Sequence, residues 1–293
     1  MKQAVHLLKS RALGVAIMLV LTALSVLLFR DGGVVEVMHA DAQTGVPLPI
    51  LMYHSVLKDP QRSGSYIITP AQFEKDMLYL NEHGYTTVLP SDLLRYAKGE
   101  GELPEKPVMI TFDDGYYNNL VYVLPVLKRL QLKAVVSIVG SYADEATARM
   151  DANPTYAHLT WEDVSTIAAS GYVEIASHSF ALHSTKNGRN GVKRKPGESE
   201  TAYEAVLTED IEQQRCALYE HCGIATTVFT YPFGQWDKDS EALLRKMGFS
   251  MTLTCRERMN YIERNPASLF RLGRYNRPSG VSTETFMQKA LKG

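Results

Sequence analysis

Two carboxylates stand side by side at the end of an apolar run in ITFDDGYYNN, where Asp113 and Asp114 precede Gly115. Neighbouring residues of an extended segment point in opposite directions, so such a doublet can give one carboxylate to a metal and the other to a water. Alone, a DDG triplet reads most simply as a turn or capping acid. A second cluster shifts that balance, because His178 and His183 lie five residues apart in SHSFALHS, directly after the strand-like run YVEIAS. Imidazoles suit zinc and its relatives, and two His with one carboxylate leave a coordination position open for water. A third cluster is the turn TYPFG, Thr230–Gly234, where Tyr231 and Phe233 are candidate substrate-side residues and a backbone N–H could face a developing oxyanion. A fourth, MYHSV, puts His54 at the end of the first strand, where a general acid or base could sit.

Four polar clusters at strand ends need a scaffold that gathers strand ends together. The runs ILMYHSV, TTVLP, PVMITF, AVVSIVG, YVEIAS, TVFTYP, SMTLTC and LFRLGR read as strands, several apolar on both faces, as in a parallel sheet covered by helices. Helices lie between them. Thr69-Pro70-Ala71-Gln72 predicts an N-cap, a first-turn proline and a capping-box partner, with Gly84 as the stop, and Thr160-Trp161-Glu162-Asp163 opens another helix that Gly171 closes. This alternation predicts a single α/β barrel over residues 50–293, with the active site at the C-terminal ends of its strands. Ser184–Ser199, STKNGRNGVKRKPGES, breaks the rhythm and reads as a long loop whose five basic residues either meet an anionic polymer or are merely solvated.

The composition sets outer limits. With 293 residues, 45% of them hydrophobic, and a formal net charge of −1, the chain can bury a sizeable core and offers no overall charge for a nucleic-acid partner. Cys216, Cys222 and Cys255 are too few for a disulfide scaffold and form no CxxC pattern. The N-terminus carries Lys2, Lys9 and Arg11 ahead of eighteen uncharged residues, Ala12–Phe29. This predicts a signal anchor over residues 1–30 with the basic end in the cytoplasm and the remainder exported, then a linker over 31–49. Ala40-Asp41-Ala42 keeps signal cleavage and secretion open as the alternative.

Together, FDDG, SHxxxxH and the PFG turn resemble the NodB-type polysaccharide deacetylases, carbohydrate esterase family 4, over roughly Ile50–Arg274. The resemblance implies a distorted (β/α)7-type barrel and metal-dependent removal of N-acetyl groups from an amino-sugar polymer. Asp113 would be the base, and Asp114, His178 and His183 the ligands of a divalent metal, Zn2+ or else Co2+ or Ni2+. Many members carry an Arg where this chain has Tyr231, and a late Leu-x-His that is not visible here. The branch containing poly-N-acetylglucosamine deacetylases takes its acid from an N-terminal Tyr-His, matched by Tyr53-His54, and carries a C-terminal Arg, for which Arg274 is the candidate to orient Asp113. Other readings are an O-acetyl esterase, a silent carbohydrate-binding module, or a zinc amidase acting on peptides, the last without an HExxH helix to support it.

Overall fold

The computed structural model describes residues 44–292. The predicted anchor, and the linker before Thr44, lie outside the described residues. Among the described residues no helix is long and apolar enough to cross a membrane.

In chain order the strands are β1 (Val46–Leu48), β2 (Ile50–Tyr53), β3 (Ser55–Val56), β4 (Ile67–Ile68), β5 (Thr86–Thr87), β6 (Pro107–Phe112), β7 (Ala134–Ile138), β8 (Val173–Ser177), β9 (Val228–Thr230), β10 (Met251–Leu253), β11 (Asn260–Ile262) and β12 (Tyr275–Asn276). The helices are α1 (Pro70–Glu82), α2 (Pro90–Ala97), α3 (Leu124–Leu130), α4 (Gly140–Arg149), α5 (Trp161–Ala169), α6 (Glu200–Cys222), α7 (Lys238–Lys246) and α8 (Thr283–Lys292). One parallel sheet runs in the order β10-β9-β8-β7-β6-β2-β12, with β5 paired to the start of β6. Between β10 and the last segment the ladder thins to a single bridge, Leu253 to Leu272, so the sheet is a half-barrel rather than a closed ring. β1 pairs antiparallel with β11, so folded structure begins inside the stretch expected to be linker.

A period of two along these strands decides what points where. On β6, Val108, Ile110 and Phe112 pack outward under the helices, while Met109 belongs to the inner cluster with Ile50 and Ala176. The same parity sends Leu51 and Tyr53 of β2, and Val173 and Ile175 of β8, to the outer layer. Burying each such Val, Ile or Phe contributes roughly 1.5–3 kcal/mol, which makes a one-residue slip of register prohibitive. The residues that continue the inner face past the strand ends are therefore His54, Asp113 and His178.

Local signals set the helix ends. Thr69 accepts from Gln72 N, and Thr160 with Asp163 forms a complete capping box. The expected return bond from Gln72 is absent, because its side-chain amide instead reaches Ser279 O and Val281 O at 3.0 and 3.2 Å and ties α1 to the C-terminal segment. The run LFRLGR is not a strand. Asn265 caps a 3-10 turn over Pro266–Leu269, Arg271 is left-handed at φ 58°, and the run pairs only through the Leu272 bridge before β12 begins. The basic stretch 184–199 is likewise no free loop: Val192 is buried, Arg189 pairs with Glu198, and Arg194 pairs with Asp239 at 2.9 Å. Its two arginines are thus occupied within the fold, which leaves the three lysines, Lys186, Lys193 and Lys195, as the charge that could meet an anionic polymer. Cys216, Cys222 and Cys255 are free thiols.

Candidate active site

The doublet sits where β6 ends, and the turn after it is sharper than an extended segment. Asp114 has φ 69° and Gly115 φ 65°. A left-handed Asp costs about 1 kcal/mol, and here it swings the second carboxylate toward the histidines while the first stays on the inner face. Gly115 cannot be replaced cheaply, since its left-handed backbone strains any residue with a Cβ, and that Cβ would also displace the Ile138 Cδ1 methyl 2.8 Å away. The residues that follow, Tyr116 to Asn119, brace the neighbouring strand end. Asn118 Oδ1 accepts from Val56 N at 2.9 Å, its Nδ2 donates to Ser55 Oγ at 3.0 Å, and Asn119 Nδ2 donates to His54 O at 3.0 Å. A π-helical turn over Asn119–Val123 follows, a distortion that recurs next to functional sites.

Asp113 is buried and clamped by Arg274, whose Nη1 and Nη2 donate to its two oxygens at 2.7 and 2.8 Å. Arg274 is itself fully buried, donating through Nε to Thr254 O at 2.9 Å and through Nη1 to Thr111 Oγ1 at 3.2 Å. Burial alone would raise the Asp113 pKa, but the guanidinium overrides it and holds the carboxyl well below the usual range. His54 Nε2 lies 3.9 Å from Asp113 Oδ2. The exposed ring of Tyr66, placed by the β3–β4 pair, covers His54 at 4.7 Å between centroids.

On the other side, Asp114 Oδ1 faces His183 Nε2 at 3.3 Å and His178 Nε2 at 3.6 Å. His178 Nδ1 is 2.7 Å from Thr230 O, which fixes its proton there and leaves the Nε2 lone pair pointing at Asp114. His183 Nδ1 contacts the Tyr142 hydroxyl at 3.2 Å. The loop between the two histidines is held by Asp210 of α6, whose carboxylate accepts from Phe180 N and Ala181 N at 2.9 and 2.7 Å.

This triad fits a divalent cation. The three ligand atoms lie within 4.8 Å of one another, and Asp114 Oδ1 is buried with no hydrogen-bond partner. Converging lone pairs with no donor among them repel unless a positive charge stands between. Burial pushes Asp114 up to about 6 and His178 down to about 3, the directions expected of groups kept from water in the absence of that charge.

The structure thus brings seven of the eight sequence-derived residues to one mouth. Phe233, left-handed at φ 57° and 41% exposed, packs its ring 4.4 Å from His183. Tyr231 is the exception. It is fully buried against Phe229 at 5.4 Å between centroids, in an apolar cluster with Leu243 and Phe249, and does not line the opening. Its backbone position is what the turn needs; its side chain serves the core.

A family model described as "Polysaccharide deacetylase" matches residues 100–252, more than half of the chain and the part that holds both aspartates and both histidines. The chain belongs to the polysaccharide deacetylase family. Among curated members it is 30% identical over 208 residues to YxkH of Bacillus subtilis (strain 168), described as a polysaccharide deacetylase, covering 71% of this chain and 64% of that one. It is 26% identical over 222 residues to the poly-beta-1,6-N-acetyl-D-glucosamine N-deacetylase of Escherichia coli (strain K12), covering 70% of this chain and 33% of that one. The chain therefore spans less than two thirds of either relative. Among solved deacetylase-like structures, IcaB from Ammonifex degensii superposes with a TM-score of 0.64 at 27% identity, covering 84% of this chain and 97% of that one.

As a polysaccharide deacetylase, the molecule also contains site residues that sequence reasoning missed. Tyr142 and Asp210 each act through a metal-ligand candidate or its loop, and lie 41 and 29 residues away in the chain. No local spacing marks them. Asn118 and Asn119 were inside the quoted motif, and two adjacent amides at the mouth of a strand are the one signal that could have drawn attention to them.

Proposed function

We propose that this polysaccharide deacetylase hydrolyses N-acetyl groups from an amino-sugar polymer, releasing acetate and a free amine. The observation that carries the reading is the buried Arg274–Asp113 pair, with His54 beside one oxygen and the Asp114-His178-His183 triad alongside. The E. coli relative's name, an N-deacetylase, supports the choice of an amide over an ester.

Asp114, His178 and His183 would hold the divalent cation, which when bound supplies Lewis-acid polarisation of a carbonyl and makes a water more acidic. Asp113 receives the proton of the attacking water. Arg274 keeps it ionised at every working pH and aims it, at the expense of basicity, so the water must be acidified for the transfer to run downhill. The N–H of Phe233 takes no part in the hydrogen bonds of its own turn, where Gly234 N and Gln235 N are the donors at 2.8 and 3.0 Å, so it is free to meet the oxyanion. His54, protonated, gives its proton to the leaving nitrogen, which otherwise departs as an amine anion. Tyr66 and Phe233 offer exposed rings on opposite sides of the reacting groups, against which a pyranose can lie.

The test is acetate release from N-acetylglucosamine oligomers. Release that is abolished by chelation and restored by added metal is the expected result, and no release from any oligomer under metal saturation would overturn the reading. An exported catalytic domain, expected from the N-terminal run, is part of the same proposal, and resistance of the domain to protease added to intact cells would refute it.

A further inference from the structure

We propose that His158 is a positioning residue of the metal site: its ring, packed on both Tyr116 and Tyr142, ties the aspartate turn to the histidine loop and so holds Asp114 and His183 at the spacing a divalent cation needs. The proposal rests on the metal-triad part of the deacetylase reading and adds to it a residue that none of the sequence motifs contains.

The ligands arrive on two separately built segments. Asp114 belongs to the turn after β6, which is bonded to the segment before α5: Leu159 N donates to Gly115 O at 2.8 Å and Tyr117 N to Ala157 O at 2.9 Å. Tyr116 and His158 are thereby paired across an antiparallel bridge, and their rings stack at 4.9 Å between centroids with 24° between their planes. His183 belongs to the other segment. Its loop is bonded to the first turn of α4, where Gly140 N donates to Ser179 O at 3.2 Å and Ser141 N to Phe180 O at 2.9 Å. Tyr142 stands on that same turn, and its hydroxyl meets His183 Nδ1 at 3.2 Å. The His158 ring lies 4.5 Å from the Tyr142 ring, so the two segments meet through it.

The surroundings fit a role exerted through the ligands rather than in the core. His158 is partly exposed, so its ring is no core filler. Each tyrosine it touches addresses a different ligand. Tyr142 occupies Nδ1 of His183 and leaves Nε2 for the cation, while the Tyr116 hydroxyl faces the Asp114 carboxylate as a donor. Partial burial pushes the His158 pKa down to about 4, so the ring is neutral at neutral pH and sets no positive charge beside a dication. Groups that orient a ligand from behind typically change metal affinity about 10–100-fold when removed.

Zinc binding to the metal-free full chain, read by competition against a chromophoric chelator, tests this without turnover. His158→Ala and Tyr142→Phe are each expected to raise the Kd about tenfold, and the double variant by well under the product, because both act through one path to His183. His158→Phe keeps a ring against both tyrosines and is expected to bind within about twofold of wild type. The visible absorption of the Co2+-loaded protein is expected to shift in His158→Ala and to return in His158→Phe, a change that a general loss of stability does not make. Tyr219→Ala, an exposed tyrosine on α6, leaves both readings unchanged as a control. An unchanged Kd in His158→Ala, or a His158→Phe that binds as weakly as His158→Ala, overturns the proposal. Zinc bound as expected with no acetate from any oligomer overturns the deacetylase reading and leaves the His158 role standing. A wild-type chain that binds no zinc overturns the metal triad and this proposal together.

Discussion

Arg274 and Arg277 flank the two residues of β12, both are buried, and each forks onto an aspartate. Their surroundings differ in one respect that separates structure from chemistry. Asp76 is saturated: Oδ1 accepts from Arg277 Nη2 at 3.0 Å and Thr283 Oγ1 at 2.6 Å, and Oδ2 from Arg277 Nε at 2.7 Å and the Tyr53 hydroxyl at 3.1 Å. That pair nails α1 to α8 and to β2, and no lone pair is left over. Asp113 accepts from Arg274 alone, and its Oδ2 looks toward His54 across 3.9 Å. A buried guanidinium–carboxylate pair is therefore no mark of a catalytic centre by itself. The unspent acceptor capacity beside a proton donor is what distinguishes one.

The comparison can be broken by exchanging the consequences of losing each carboxylate. Asp113→Asn is expected to lower turnover on the order of 10²–10⁴-fold while still binding metal in equilibrium dialysis. Retained activity, or loss of metal, would put Asp113 with Asp76 as a structural group. Asp76→Asn should do the opposite, destabilising the fold by roughly 3–5 kcal/mol in urea because a buried guanidinium loses its partner, with kcat of the surviving folded fraction unaltered. His54→Ala tests the side of Asp113 that Asp76 lacks; it should slow amide hydrolysis by something on the order of 10²-fold or more without lowering the urea midpoint by much.

Two smaller effects sharpen the contrast. Thr283→Val removes one donor to Asp76 and should cost about 1 kcal/mol of stability, with no change in the pH–rate profile. Acid titration of the metal-free protein gives the last. The Asp113 pKa is lower folded than unfolded, so its contribution to stability is complete above the ordinary carboxylate value of about 3.9 and fades as pH falls toward the folded value. Wild type should then lose stability more steeply than Asp113→Asn below about pH 4, as read by urea midpoints; parallel curves would mean that Arg274 does not depress Asp113.

What was legible in the sequence was what is encoded within a few residues. Strand runs with their following polar residues gave Asp113, Asp114, His178 and His54, because the alternation of a strand fixes the face of the next residue as firmly as that of the last. The proline turn fixed Phe233 but misled about Tyr231, since the same backbone position serves a buried ring as well as a catalytic one. LFRLGR looked like a strand from its apolar content, and Asn265-Pro266 with a left-handed Arg271 broke it.

The sequence by itself determined the parallel α/β plan, the strand-end location of the chemistry and the two-histidine, one-carboxylate set, all of them consequences of short-range periodicity and donor type. The family resemblance points to Arg274 as the partner of Asp113; only the tertiary structure gives the physical reason that it, and not Arg277, reaches that carboxylate, and it alone decided that Tyr142 and Asp210 hold the histidines in place. Arg274 is 161 residues from Asp113 and one turn of chain from an equally buried arginine. Which of them reaches the site depends on the inward face of a segment whose pairing with β10 and β2 is set by the whole curved sheet, and no local spacing carries that information.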